Sequence, residues 1–174
     1  IKGEFFIKDE RSRMGLGSFK ALGAAYVIAN LAQQQSLSNT TFITASAGNH
    51  GLSVAAGAKT FGAKSVVYLS HTVPETFAEK LRLQGARVCR KGDDYEASMT
   101  AAAKAATANN WVLLSDSSWP GYTELPHRLM EGYLVMAAET VKQMKSAPTH
   151  IFLQAGVGGL AAACAAYFRS AWVD

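Results

Sequence analysis

The chain has 174 residues, 49% of them hydrophobic and 17% charged, and 17 Lys and Arg against 13 Asp and Glu leave a formal net charge of +4. That composition excludes intrinsic disorder and gives enough apolar side chain for a substantial core. Basic residues are scattered rather than gathered in a stripe, which argues against nucleic acid; no apolar run approaches the roughly 18 residues of a membrane span and no signal-peptide layout precedes Phe5, which argues against a membrane or secreted protein.

In chain order, the first short apolar run, Phe5–Ile7, has strand composition, and a glycine-rich turn then leads into a helical stretch from Lys20. Further strands are predicted at Phe42–Thr44, Val66–Leu69, Ala86–Cys89, Val112–Leu114 and Ile151–Leu153. Between them, Phe77 and Leu81 mark a short helix, and Leu129, Met130, Tyr133, Leu134, Ala137, Val141 and Met144 place one apolar stripe on a long one. Pro74 and Pro126 sit where helices start, Gly62 and Gly85 where they stop, and Pro148 precedes the last strand. Strands alternating with helices read as an α/β fold with parallel sheets and flanking helices. Cys89 and Cys164 are far apart, which suggests a reducing compartment and a buried structural thiol at each position. The four histidines are unpaired in sequence, so no metal site is expected.

Three features fall where ligands bind in open parallel sheets, at strand-to-helix junctions or helix starts. In Gly15-Leu16-Gly17-Ser18-Phe19-Lys20, the lysine lies in a first helical turn, where the positive end of the helix dipole favours the neutral, nucleophilic amine. The plain alternative is a solvated surface lysine. In Ser46-Ala47-Gly48-Asn49-His50-Gly51, small residues let a ligand approach helix-start amides, and Asn49 offers both a donor and an acceptor; an ordinary Ser-capped helix is the alternative. Gln154-Ala155-Gly156-Val157-Gly158-Gly159-Leu160-Ala161 is a glycine turn suited to cradling phosphate. It also fits a loose dinucleotide fingerprint, although no second strand with an acidic residue follows it.

Together these motifs resemble the pyridoxal-phosphate enzymes of the tryptophan-synthase-β type, fold type II, which include serine and threonine dehydratases. Lys8 through Gly23 and Asp116-Ser117-Ser118-Trp119-Pro120-Gly121-Tyr122 look most like the diaminopropionate ammonia-lyases. The resemblance implies pyridoxal 5'-phosphate as cofactor, held as a Schiff base by Lys20, which would also act as the base that removes the α-proton. It implies that Asn49 contacts the cofactor's phenolic oxygen and that Gly156, Val157, Gly158, Gly159 and Leu160 give amides to its phosphate. Ser46, Gly48, Asn49 and His50 would receive the substrate carboxylate. Asp116 would be an acid/base group for the departing β-amino group, with an Asx-turn before Ser117 as its plain alternative.

The reaction so implied is β-elimination from a 2,3-diaminopropionate-like amino acid to a 2-keto acid and ammonia, by a cytoplasmic enzyme of amino-acid catabolism that is a homodimer when full length. The implied architecture is two-lobed: 1–37 begins a large cofactor domain, 38–115 is a small inserted domain, and 116–174 resumes the large one, whose C-terminal part, including the residue facing the pyridine nitrogen, lies past Asp174. A 174-residue segment alone is therefore expected to bind cofactor weakly. One departure concerns chemistry. The ammonia-lyases of this type usually carry Asp at the position of Ala47, and a methyl group cannot move a proton, so activity on the D-substrate should be reduced or absent. That substitution keeps a serine or threonine-type dehydratase open as an alternative. A nicotinamide-dependent oxidoreductase and an inactive fragment are more distant ones.

Overall fold

The computed structural model of the chain describes residues 3–172. After a short 3-10 turn at Arg13–Gly15, the elements run α1 (Lys20–Gln34), β1 (Thr41–Ala45), α2 (Asn49–Thr60), β2 (Lys64–Leu69), α3 (Glu75–Leu83), β3 (Arg87–Arg90), α4 (Tyr95–Asn109), β4 (Val112–Leu113), α5 (Glu124–Gln143) and α6 (Gly159–Ala171). The four strands form one sheet in the order β3-β2-β1-β4. Every neighbouring pair is parallel, with Ile43 opposite Val66 on one side and Leu113 on the other.

Burial on both faces makes the central strands β1 and β2 short apolar runs rather than alternating ones, whereas the edge strand β3 is bounded by Arg87 and Arg90. Ile43, Ala45 and Val66 pack against Ala102 and Ala106 of α4, whose alanines let the helix lie close to the sheet. On the opposite face, Val67 and Leu69 meet Ala55 of α2 with Ala78 and Leu81 of α3. Phe42 joins α1 and α2 through Ala24, Ile28, Val54 and Ala58, and Leu129 of α5 closes the same cluster. A further layer is helical: Leu22 of α1, Tyr133, Met136 and Ala137 of α5, and Leu160, Cys164 and Phe168 of α6 pack together. The α1–α5 crossing is very close, since a β-carbon added at Gly132 would lie 2.6 Å from the Leu22 carbonyl oxygen.

Helix punctuation agrees with the sequence. Gly62 and Gly85 follow α2 and α3 at φ 73° and 91°. Pro74 is the residue before α3, and Pro126 lies in the first turn of α5, where a missing amide hydrogen costs nothing. Asp94 caps α4 by accepting from the Ala97 amide at 2.7 Å.

Two predicted strands are corrected. Phe5–Ile7 and Ile151–Leu153 form no ladder with the described residues, and most of their large side chains face solvent, with Ile7 89% and Phe152 88% exposed, while Leu153 packs against the helical layer instead. A strand exists only by pairing, and no described strand lies beside either run. Cys164 is buried as expected, which pushes its thiol up to about 11, but Cys89 is only half-buried at the rim of the sheet. No described helix is long and apolar enough to cross a membrane, and no cluster of metal-ligating side chains occurs among the described residues.

Candidate active site

Lys20 is the first residue of α1 and is reached through Gly15 and Gly17, both in the left-handed region at φ 69° and 80°. Its amide donates to Ser18 Oγ at 3.2 Å. The ammonium lies 5.5 Å from the Phe19 ring centroid and 5.9 Å from that of Tyr133, which places it beside two aromatic walls. Its partner is the carboxylate of Asp116, hydrogen-bonded through Oδ2 from 96 positions away in the chain, and both side chains are largely shielded from water.

The Asp116 position is fixed by the exit of β4. The Leu114 amide continues the ladder to the Ile43 carbonyl at 2.8 Å. The Tyr122 hydroxyl then donates to the Leu113 carbonyl and accepts from the Ser115 amide, each at 2.9 Å. Burial pushes this phenol up to about 12, so it stays protonated as a clamp. Trp119-Pro120-Gly121-Tyr122 makes that return possible: proline then glycine at φ 87° are the residues a type II turn requires, and the rings of Trp119 and Tyr122 stack at 4.3 Å. No Asx-turn is formed by Asp116; the Ser117 amide instead donates to Ser115 Oγ at 3.2 Å. Burial acts to raise the Asp116 carboxyl, but the His50 ring and the Lys20 ammonium outweigh it and hold it below its ordinary value. An ionised carboxylate is therefore the resting form.

The second motif sits at the start of α2. His50 is buried, and its Nε2 donates to the Leu114 carbonyl at 2.8 Å, since a carbonyl can only accept. Burial lowers the His50 pKa against the opposing pull of the Asp116 charge, and its Nδ1 has no partner among the described residues. Ser46 turns inward on its own loop. Its Oγ accepts from the amides of Gly48 at 3.2 Å and Gly51 at 3.0 Å. Gly51 permits this fold-back, because a β-carbon there would stand 2.9 Å from the Ser46 carbonyl oxygen. Of the amides expected to receive a carboxylate, that of Gly48 donates to Ser46 Oγ, while those of Asn49 and His50 have no described partner. Asn49 is exposed with its side-chain amide free of hydrogen bonds to described residues, and Ala47 is exposed beside it.

The glycine loop leads into α6 with Gly158 at φ 90° as the residue before the helix. Gly156 and Gly158 have nothing within 4 Å of an added β-carbon, so the loop is open to a ligand rather than packed by the protein. Gly159 lies against α5, where an added β-carbon would stand 3.3 Å from Met130 and 3.8 Å from Tyr133. Tyr133 thus bridges the loop to the Lys20 helix. Lys20 and Asp116 are in direct contact, His50 is anchored two residues upstream at Leu114, and Gly159 and Leu160 pack near Tyr133. Tyr122 and Tyr133 were not singled out as site residues by sequence reasoning. Their roles depend on a turn and on glycine-lined helix contacts that leave no spacing signal.

These groups suit a phosphorylated, aldehyde-bearing cofactor. An amine stands opposite a carboxylate, open amides occupy two helix starts, and a glycine conformation at α6 is required by φ rather than by packing. Known proteins agree with that chemistry. The chain is 35% identical over 190 residues to a diaminopropionate ammonia-lyase of Salmonella typhimurium, covering 95% of this chain and 47% of that protein. A threonine dehydratase of Pasteurella multocida is 30% identical, covering 97% of this chain and 31% of its own length. The crystal structure of Escherichia coli diaminopropionate ammonia-lyase in apo form superposes with a TM-score of 0.87 at 33% identity, over 92% of this chain and 49% of that one. The chain spans about half the length of the ammonia-lyases it matches. A family model described as pyridoxal-phosphate dependent enzyme matches residues 1–174, and the chain belongs to that family.

Proposed function

We propose that the full-length protein carrying this chain catalyses β-elimination from an amino acid of the 2,3-diaminopropionate class, releasing a 2-keto acid and ammonia. The observation that carries the proposal is the Lys20–Asp116 pair, a shielded amine and an ionised carboxylate set between two helix starts with open amides. When bound, pyridoxal phosphate supplies an electron sink for the carbanion at the substrate α-carbon.

The chain's own residues supply the rest. Lys20 Nζ would hold the cofactor and, once released, accept the α-proton. Gly156, Val157, Gly158, Gly159 and Leu160 would offer amides to the phosphate, where the α6 dipole also favours an anion. Asn49 would meet the cofactor ring's oxygen, and the free amides of Asn49 and His50 would orient the substrate carboxylate, with Ser46 and Gly48 shaping that turn. Asp116 Oδ2 would pair with the β-ammonium, keeping the proton on nitrogen so that it leaves as ammonia. The Tyr122 clamp holds that carboxylate in place.

Residues 38–115, which contain all four described strands, would form the small inserted domain, with 1–37 and 116–174 belonging to the large one. The packing of α1, α5 and α6 on one another supports that division. The family resemblance further implies a homodimer acting in cytoplasmic amino-acid catabolism. Ala47 favours a second reading, a dehydratase acting on serine or threonine, because its methyl group supplies no second proton-transfer group at the carboxylate turn. Keto-acid release from L-diaminopropionate, D-diaminopropionate, L-serine and L-threonine by the full-length protein separates the readings. Fastest turnover of L-diaminopropionate supports the first, and fastest turnover of a hydroxy amino acid replaces it with the second.

A further inference from the structure

Tyr133 is 2% exposed, yet its hydroxyl has no hydrogen-bond partner among the described residues. A buried, unmet donor costs about 1–3 kcal/mol and so requires a reason for being kept, of which a bound ligand is one. The ring is wedged into a fixed place. Phe19 packs edge-on at 5.2 Å between centroids, and the absence of a β-carbon at Gly23 clears its flank, since one there would stand 2.7 Å from Cε1. Helical side chains lean toward the N-terminus of their helix, and one turn in that direction Met130 also borders Gly159. One edge of the Tyr133 ring therefore borders Gly159, the first residue of α6 beside the open glycine loop, while Lys20 lies over its face. Two independent features meet there: a thirteen-residue helix with an open N-terminus and a buried donor without an acceptor.

We propose that the Tyr133 hydroxyl donates a hydrogen bond to the phosphate ester of the cofactor, adding a side-chain donor to the backbone amides of Gly156–Leu160. The inference rests on the cofactor reading above. Burial, reinforced by the Asp116 charge, raises the Tyr133 pKa, so the phenol remains protonated and able to donate.

The test uses Tyr133→Phe in the full-length protein, stripped of cofactor and titrated with pyridoxal 5'-phosphate and, separately, with pyridoxal, which lacks the phosphate. Tyr133→Phe is expected to weaken pyridoxal 5'-phosphate by roughly ten- to a hundredfold, as loss of a hydrogen bond to a charged acceptor does, and to leave pyridoxal affinity unchanged. The cofactor-free variant should melt at the parent temperature or above, because no protein hydrogen bond is lost. Equal pyridoxal 5'-phosphate affinity in variant and parent would overturn the inference alone. So would an equal loss for both ligands, or a lower melting temperature of the cofactor-free variant, which would give the hydroxyl a protein partner. If the parent itself binds no pyridoxal 5'-phosphate, the cofactor reading falls and takes this inference with it.

Discussion

In the proposed reaction, Asp116 is the group that separates this site from a simple lysine at a helix start. Asp116→Asn keeps the shape but removes the charge, and it is expected to lower kcat by about 10²- to 10⁴-fold while cofactor affinity changes little. Steady-state kinetics beside a cofactor titration check this; a variant that retains parent kcat contradicts the role. The depressed Asp116 pKa gives the sign of the acid limb. The carboxylate is present above its ordinary value of 3.8 and is lost as pH falls through the lower folded value, so activity should hold further into acid than an isolated carboxylate would allow. At Ala47, the L-enantiomer of diaminopropionate should be turned over and the D-enantiomer much more slowly or not at all. Equal rates would mean that another group moves the second proton. Residue types at three junctions were legible in the sequence, and so was their clustering as a class of chemistry. The partnership of Lys20 with Asp116 was not, because it spans 96 positions and is made by tertiary packing. Nor was the inward turn of Ser46, which depends on Gly51 having no side chain.

Among the elements, α5 organises the site by its contacts at both ends. Gly132 lets α1 approach so closely that Gly132→Ala should destabilise the fold by about 1–3 kcal/mol, although alanine is the better helix former by ~1 kcal/mol. Urea unfolding measures this, and a neutral or stabilising result would show that the crossing can relax. Toward the other end, Glu139 accepts from Lys8 at 2.6 Å and from Arg13 at 2.9 Å, and Arg13 also donates to Glu10 at 2.7 Å. This cluster ties the segment before the Lys20 loop to α5. The Arg13 and Lys8 hydrogen bonds hold the Glu139 carboxyl down at about 2, against an ordinary 4.5. Its stabilisation is therefore present above pH 4.5 and is lost as pH falls through about 2. The urea midpoint should drop over that window in the parent and stay flatter in Glu139→Gln. Identical pH profiles would leave the cluster without a stabilising role. The elements themselves were readable wherever pattern and partner coincided: four strands, the α5 stripe and the glycine stops. Phe5–Ile7 and Ile151–Leu153 carry the same apolar composition as the paired strands, and composition alone cannot say whether a pairing strand lies alongside.

At the scale of the whole molecule, one parallel sheet covered by helices leads the ends of β1 and β4 and the start of α6 toward the same lysine. The chain spans about half the length of the related ammonia-lyases, so cofactor affinity is expected to be weak for residues 1–174 alone and strong for the full-length protein. Similar affinities in the two would show that the site described here is self-sufficient. The most direct measurement is the visible absorption spectrum of the full-length protein with pyridoxal 5'-phosphate, compared between the parent and Lys20→Ala. A lysine-linked cofactor band in the parent that is absent from Lys20→Ala is the expected result; a band that persists in Lys20→Ala would contradict the assignment of Lys20 as the residue that holds the cofactor.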